Sequence, residues 1–234
     1  MGAATKIVES ALVVYDTTST HRWYDAFGIC AKYVSDFGFL PLPDANAPSG
    51  FTTTLVNSST VALGTAGGGQ LVITTDTAEN DGAQLQVTGE AYDLSGSAPM
   101  YFGIKFQADE ETQSDFLAGL CITDTTLLAG MTDGIYFRKV DGSTDVEFVC
   151  EKDSAESTAV IDTFAVDTDV VYEMYFDGTS VYVYVDGTLT LTKVVAAETN
   201  FPDDEELTPS VAFLTGAAAA QVMTIDWLRA IQCN

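Results

Sequence analysis

Two acidic side chains stand at alternate positions in the run Asp145-Val146-Glu147, a spacing that could support acid–base chemistry. Alternate residues of a β-strand share a face, so two such carboxylates could approach the roughly 5–5.5 Å that retaining hydrolysis of a glycosidic bond requires. The next residue on that face is Val149, so the series of acids stops at two. Acids that alternate in this way are also typical of an ordinary solvated strand face, and we expect no catalytic residue here.

Other catalytic patterns are missing from the sequence. His21 is the single histidine, and no Gly-x-Ser-x-Gly motif accompanies it, so a Ser-His-Asp or Cys-His site is not expected. The glycines at 67–69 precede Gln70 and Leu71 rather than the Lys-Ser/Thr of a phosphate-binding loop. The sequence therefore predicts a protein that is not an enzyme.

Calcium is the one cofactor that the residue types leave open. The acidic runs 109–111 and 203–206 carry the oxygen ligands that Ca²⁺ prefers, but neither matches an EF-hand loop. Charge runs are usually solvated, so we expect no bound cofactor and assign no metal ligands.

The four cysteines lie far apart, and none has the C-x₂-C spacing of a zinc or redox site. Cys121 and Cys150 fall in apolar, strand-like runs, which favours buried free thiols. The spacing alone leaves a disulfide between these two open, and it assigns no state to Cys30 or Cys233.

The chain is strongly acidic, with 34 Asp and Glu against nine Lys and Arg and a formal charge of −25. Such a surface repels phosphate backbones and anionic bilayers, so neither nucleic acid nor a membrane is an expected partner. The acidity fits either solubility in a salty medium or the binding of Ca²⁺ or a basic surface. Near the N-terminus, Glu9 interrupts the apolar run 7–15, which excludes a signal-peptide pattern there and predicts synthesis in a cytoplasm.

The elements that must position any site are predicted to be strands. From Phe51 onward, short alternating runs are separated by turn residues, as an all-β sandwich requires. Asp-Gly pairs at 141–142, 177–178 and 186–187 mark tight hairpins between such runs. The sequence therefore predicts a two-sheet antiparallel sandwich over residues 51–234, preceded by an N-terminal arm or docked segment at 1–50.

The first fifty residues differ from the rest. Ile7, Ala11 and Val14 stand at helical spacing and predict a short helix within residues 1–20, while three prolines in 41–48 mark a boundary. An aromatic-rich stretch between them is expected to pack against the chain's own sandwich or against another chain, and both alternatives stay open. The aromatic residues of this candidate partner-binding stretch are Trp23, Tyr24, Phe27, Phe37 and Phe39.

Two stretches carry a resemblance to a known fold family. The hairpin 175–187, with its Phe176-Asp177-Gly178 and Val185-Asp186-Gly187 turns, and the closing run 225–229 resemble concanavalin A-like and laminin G-like jelly-roll domains. The resemblance implies the jelly-roll sandwich, and it leaves function open because this fold serves lectins, glycosidases and scaffolds.

A narrower resemblance involves the stretches 99–102, 133–138 and 202–210, which are similar to decoration or cement proteins of tailed-bacteriophage capsids. That resemblance implies a structural virion protein on the capsid exterior. It would bridge neighbouring major capsid proteins as a dimer or trimer, gripping the shell through the aromatic stretch.

Two alternatives remain open beside that function. A carbohydrate-binding, lectin-like module would stack sugars on aromatic rings, and the candidates by residue type are Trp23, Tyr92, Tyr136 and Trp227. Strict alternation of the last strand would place Trp227 on one face with Ile225 and Arg229, where a core position is expected. A glycoside hydrolase is the third alternative: laminarinase-like members of the fold carry Glu-x-Asp-x-Glu on one strand, and Asp145-Val146-Glu147 is an incomplete match.

Overall fold

The computed structural model describes Phe37 and residues 48–65 and 69–232 in full. It also gives the backbone of the strands at 3–8, 11–16, 25–26 and 30–35 and of Cys233. Apart from one 3₁₀ turn, the regular secondary structure of these parts consists of β-strands, which agrees with the composition of β-branched and aromatic residues. No helix in the described part of the chain has the length and apolar character to cross a bilayer.

The strands follow one another along the chain with short connections. The first ten are β1 (Ala3–Val8), β2 (Ala11–Asp16), β3 (Asp25–Ala26), β4 (Cys30–Ser35), β5 (Phe51–Leu55), β6 (Thr60–Leu63), β7 (Leu71–Thr74), β8 (Gly82–Val87), β9 (Tyr92–Asp93) and β10 (Met100–Ala108). The remaining strands are β11 (Ser114–Cys121), β12 (Gly134–Lys139), β13 (Asp145–Lys152), β14 (Ala155–Thr163), β15 (Val170–Phe176), β16 (Ser180–Val185), β17 (Thr188–Val194), β18 (Glu206–Thr215) and β19 (Val222–Cys233). A single 3₁₀ turn, Val195–Ala197, follows β17.

Two antiparallel sheets of eight strands each form the sandwich. Sheet I has the order β17-β16-β15-β10-β19-β7-β6, with β4 also paired to β19. Sheet II has the order β14-β13-β12-β11-β18-β8-β5, with β9 also paired to β18. The non-sequential neighbours, such as β10 beside β19 and β11 beside β18, are the long-range pairings of a jelly roll. The prediction of a two-sheet antiparallel sandwich is confirmed.

Aromatic side chains fill the space between the sheets. Phe106 from sheet I meets Phe116 from sheet II edge to face, with ring centroids 5.0 Å apart. Tyr172 stacks near Phe137 at 5.3 Å, again across the two sheets. Each of these rings is almost fully buried, and burying one such side chain contributes about 2–3 kcal/mol. The core therefore fixes which face of each strand points inward and which remains for a site.

Tight turns hold the hairpins in register. Asp186 and Gly187 have φ values of 47° and 76°, the left-handed pair that a two-residue type I′ turn needs. The turn between β13 and β14 has the same form, with φ of 52° at Asp153 and 62° at Ser154. The predicted Asp-Gly turns are thus hairpin turns, and the Asp-Ser turn is one that residue type alone did not reveal.

The N-terminal segment differs from the prediction in one respect. The helix expected within residues 1–20 is absent, because β1 and β2 pair as antiparallel strands there, with Lys6 opposite Val13. The run Leu12-Val13-Val14-Tyr15 favours an extended backbone over a helix, since β-branched side chains lose rotamer freedom in a helix. Those two strands and β3 form a separate three-stranded sheet.

One strand of the N-terminal segment, β4, pairs with the chain's own sandwich rather than standing apart from it. That strand pairs with β19 over six successive positions and so extends sheet I. Phe37, which follows β4, is 2% exposed and belongs to the chain's own core, so it is not available to a partner. The other predicted partner-binding residues, Trp23, Tyr24, Phe27 and Phe39, lie outside the described residues.

Candidate functional site

Five polar side chains converge on the outer face of sheet II, and we call them the glutamate cluster. They are Tyr136 and Arg138 on β12, Glu147 and Glu151 on β13, and Glu156 on β14. Alternation places them there, because the intervening residues of β12 and β13 point into the core. The outer face of three adjacent strands therefore carries this polar cluster, with the apolar Val149 between Glu147 and Glu151.

Strand register brings these side chains opposite one another. Arg138 lies directly opposite Glu147 across β12 and β13. Glu156 lies directly opposite Glu151 across β13 and β14, a pairing fixed by the two-residue turn between these strands. Facing residues of antiparallel strands have neighbouring side chains, so two like carboxylates are held together beside one guanidinium.

Arg138 is the centre of the ion pairs. Its Nη1 and Nη2 donate to the two carboxylate oxygens of Glu156 at 2.6 and 2.8 Å, a bidentate geometry. Nη2 also donates to Glu147 Oε2 at 3.1 Å. The Nε atom of Arg138 is buried and has no hydrogen-bond partner in the described part of the chain.

Glu151 has a different environment from the other two glutamates. It is only 5% exposed, and Tyr136 Oη donates to its Oε2 at 2.7 Å. Burial is the largest influence on this carboxyl and raises its pKa above the ordinary value. The hydrogen bond from Arg138 instead lowers the pKa of Glu156. The pKa values of these two facing carboxyl groups are thus shifted in opposite directions. Such a difference assigns the acid and base roles in carboxylate chemistry.

A small cavity of about 90 Å³ opens beside the cluster. The cavity is lined by Glu151, Glu156, Arg138 and Tyr136 on the sheet side and by Leu128 and Met131 on the loop side. This volume is well below the roughly 300–1,000 Å³ of sites that enclose a whole ligand, so the cavity fits a ring substituent rather than a whole sugar ring. A larger ligand would therefore lie across the strands and place one group in the cavity.

The loop 122–133 covers the neighbouring part of the same sheet face. Leu127 and Met131 of this loop pack on Leu117, Tyr136 and Val149, forming a second apolar cluster outside the main core. Two glutamines of β8 fasten the loop. The side-chain amide of Gln84 accepts from Leu127 N at 2.5 Å and donates to Thr125 O at 2.7 Å. The side-chain amide of Gln86 likewise accepts from Asp124 N and donates to Ile122 O, both at 2.9 Å.

Gly119 on β11 makes room for Tyr136. A Cβ at this position would lie 2.4 Å from Tyr136 Cβ and 2.4 Å from Ile135 O, which is closer than side-chain packing permits. Only glycine therefore allows the tyrosine to occupy its position against β11 while its hydroxyl reaches Glu151.

The sequence identified part of this cluster and missed the rest. Glu147 was one of the two alternating acids that were considered for catalysis and set aside as an ordinary solvated strand face, whereas Asp145 lies exposed at the start of β13. Glu151 and Glu156 were missed, although Glu147-x-Val149-x-Glu151 shares one strand face. The signal that could have found Glu156 is the turn Asp153-Ser154, because a two-residue hairpin must place residues 151 and 156 opposite each other.

The predicted sugar-stacking aromatics separate in the structure. Tyr136 belongs to the glutamate cluster, whereas Tyr92 is 3% exposed and donates to Ala230 O at 3.0 Å. Trp227 was expected in the core, and that expectation is wrong. A bulge at Asp226 shifts the register of β19, so Trp227 lies on the outer face of sheet I with the Arg229 guanidinium 4.5 Å from its ring. Trp23 lies outside the described residues.

The acidic loops considered for calcium make local contacts. Glu110 accepts from the backbone N of Thr112 and Gln113, and Lys152 forms ion pairs with Asp203 and Asp204 at 2.5 and 3.1 Å. In the residues that the structure describes, no group of three or more His, Cys, Asp or Glu is placed to hold a metal ion.

Cys121 and Cys150 are buried free thiols, as predicted. Cys121 lies beneath the loop 122–133, and Cys150 points into the core on the other side of sheet II. Burial raises the pKa of Cys150 to about 12, so its thiol is not reactive at neutral pH.

Comparisons with known proteins show the fold. No protein-family model matches the sequence, and no curated protein sequence matches it. A β-glucanase of Bacillus licheniformis is similar in structure with a TM-score of 0.60, 12% identity and coverage of 87% of this chain and 98% of that one. A family 16 mixed-linkage glucan hydrolase of Bacteroides ovatus, solved with a product, has a TM-score of 0.59 and 12% identity, and the match covers 85% of this chain and 99% of that one. The carbohydrate recognition domain of Emp46p has a TM-score of 0.55 and 11% identity, and the match covers 78% of this chain and 88% of that one.

These comparisons confirm the concanavalin A-like jelly roll and correct two predictions. The prediction of a phage capsid decoration protein is wrong, because glucanases and carbohydrate recognition domains are among the similar structures and nothing in the comparisons supports a capsid role. The prediction that the chain is not an enzyme is also corrected, because endo-acting glucanases are prominent among them. The chain has the jelly-roll fold that these carbohydrate-binding and carbohydrate-cleaving proteins share.

Proposed function

We propose that this chain is a carbohydrate-binding protein whose glycan lies on the outer face of sheet II, over the glutamate cluster. The observation that carries the proposal is the convergence of Arg138, Glu147, Glu151 and Glu156 beside a small cavity. Carboxylates and a guanidinium are the groups that bind the hydroxyls of a sugar, since each hydroxyl both donates and accepts.

The charge of the chain favours a neutral polyhydroxylated ligand. A formal charge of −25 and three glutamates in one patch repel phosphate, sulfate or uronate groups. Glucans are neutral and carry many hydroxyl groups, and the glucan-cleaving proteins among the similar structures support this class of ligand.

Titration calorimetry with mixed-linkage and β-1,3-glucan oligosaccharides tests the proposal. We expect saturable binding that Glu151→Gln and Glu147→Gln weaken about 10- to 100-fold, because each change replaces a carboxylate that can accept from ligand hydroxyls. Glu205→Gln, an exposed acid outside the cluster, is the matched control and should bind like the wild type. Equal affinity in all four proteins, or no binding to any glucan or glycan tested, would contradict it.

A second candidate function, glycoside hydrolysis at the same cluster, is favoured by the opposed pKa directions of Glu151 and Glu156. Glu151 would donate its proton to the leaving glycosidic oxygen. An ionised carboxylate, Glu156 or Glu147, would take a proton from the water that adds to the sugar carbon.

Release of reducing ends from mixed-linkage glucan tests this candidate. Activity should fall as pH rises through the raised pKa of Glu151, because the general acid then loses its proton. Glu151→Gln should reduce the rate at least 100-fold while Glu205→Gln leaves it unchanged. Binding without any release of reducing ends would leave carbohydrate binding as the function and reject hydrolysis.

A further inference from the structure

Two cysteines near opposite ends of the chain occupy facing positions in sheet I. Cys30 is the first residue of β4, and Cys233 is the last residue of β19. These strands pair antiparallel, and Cys233 lies directly opposite Cys30 at the end of six consecutive pairs that show no shift of register. More than two hundred residues of chain separate the two positions, so only the fold brings them together.

Facing positions of this kind meet the geometric requirement for a disulfide. The Cα atoms of directly opposed residues in an antiparallel pair are about 4.5 or 5.5 Å apart, depending on whether the pair is hydrogen-bonded. A disulfide accepts Cα separations of about 4.4–6.8 Å, so both kinds of pair fall within the range. We propose that Cys30 and Cys233 form a cross-strand disulfide that fastens β4 to the last strand of the sandwich.

The other two cysteines do not compete for this bond. Cys121 and Cys150 are on β11 and β13, which are separated by β12, and they lie on opposite faces of sheet II. Both are buried free thiols, so an oxidant in solution does not reach them in the folded chain. The cross-link is therefore specific to one of the six pairings that four cysteines allow.

A low-molecular-weight disulfide such as oxidised glutathione completes the reaction. The thiolate of one cysteine attacks the glutathione disulfide, forms a mixed disulfide and releases one reduced glutathione. The second cysteine then attacks the protein sulfur of the mixed disulfide and releases the second glutathione. The two protein thiols lose two electrons and two protons in total, and the glutathione disulfide gains them.

The bond would close a loop that contains nearly the whole chain. Cross-linking residues so far apart in sequence removes a large amount of chain entropy from the unfolded state. For a chain of this size we expect the oxidised protein to melt on the order of 10 °C above the reduced one. This inference does not depend on the proposed carbohydrate function.

Peptide mapping under non-reducing conditions tests it on the full chain. After incubation with oxidised glutathione, trypsin should yield one disulfide-linked pair of peptides, 23–32 with 230–234, which reducing agent separates. Thiol titration of the unfolded protein should fall from four groups to two. Cys30→Ser and Cys233→Ser should each lose the linked peptides and the increase in melting temperature.

Three results would contradict the proposed disulfide. Four titratable thiols after oxidation, or stable glutathione adducts on Cys30 and Cys233 without a bond between them, would overturn the proposal. Linked peptides that contain Cys121 or Cys150 would overturn it as well. Circular dichroism of both serine variants checks that they fold, and wild-type mapping alone decides the question if one of them does not.

Discussion

At the scale of single residues, the glutamate cluster gives chemically identical side chains different properties. Glu151 is buried and accepts from Tyr136, whereas Glu156 has both carboxylate oxygens in the fork of Arg138. Burial disfavours the ionised form of the first, and the guanidinium favours the ionised form of the second. The cluster therefore holds a protonated and an ionised carboxyl side by side over part of the pH range.

This difference predicts a pH-dependent stability that belongs to Glu151. Its pKa is raised in the folded state, so its contribution is present below the unfolded pKa of about 4.3 and is lost as pH rises through the folded pKa. The wild type should thus lose stability relative to Glu151→Gln as pH increases from 4 to 8. Urea denaturation of both proteins across this range measures the difference, with Glu205→Gln as control. A difference that stays constant with pH would contradict the account.

At the scale of elements, the loop 122–133 decides how much of the sheet II face is open. Its attachment depends on the amide side chains of Gln84 and Gln86, which replace the strand partners that the loop backbone lacks. Such a loop opens more readily than the strands beneath it, because only a few hydrogen bonds and one small apolar cluster hold it.

Gln84→Ala should therefore loosen this loop without unfolding the sandwich. The change removes two hydrogen bonds and leaves the buried Leu127 N–H without its acceptor. Cys121, which lies beneath the loop, should react with a maleimide about tenfold faster, while Cys150 in the core should stay unreactive. Mass spectrometry of the labelled peptides separates the sites, and Gln107→Ala is the control. Unchanged labelling of Cys121 would show that the glutamines do not fasten the loop.

The sequence predicted the strands and Asp-Gly hairpins well, but it did not predict the bulge in β19 or the turn without glycine between β13 and β14. Alternation and Asp-Gly pairs predicted the sandwich and its hairpins, because burial of one strand face and left-handed turn residues are both visible in residue types. The bulge at Asp226 is not visible in this way, and it moved Trp227 from the expected core to the outer face of sheet I. The turn at Asp153-Ser154 carries no glycine, so the pairing of Glu151 with Glu156 was missed.

At the scale of the whole molecule, the fold limits the function but does not choose it. The same jelly roll supports carbohydrate binding in some proteins and glycoside hydrolysis in others. The stretches that resembled capsid proteins form strands and loops of this widely shared sandwich, so their resemblance does not indicate a capsid role. Under the proposed function, the strong negative charge favours a neutral or cationic ligand over an anionic one. The proposed function of this chain therefore rests on one patch on one sheet face, the glutamate cluster.

The most direct test of that claim is an NMR titration of the deuterated, ¹⁵N-labelled chain with a mixed-linkage glucan oligosaccharide. The account predicts saturable shift changes at backbone amides of 134–139, 145–152 and 155–160, the strands of the glutamate cluster, and their loss in Glu151→Gln. Changes confined to the outer face of sheet I, or no changes at millimolar oligosaccharide, would contradict it.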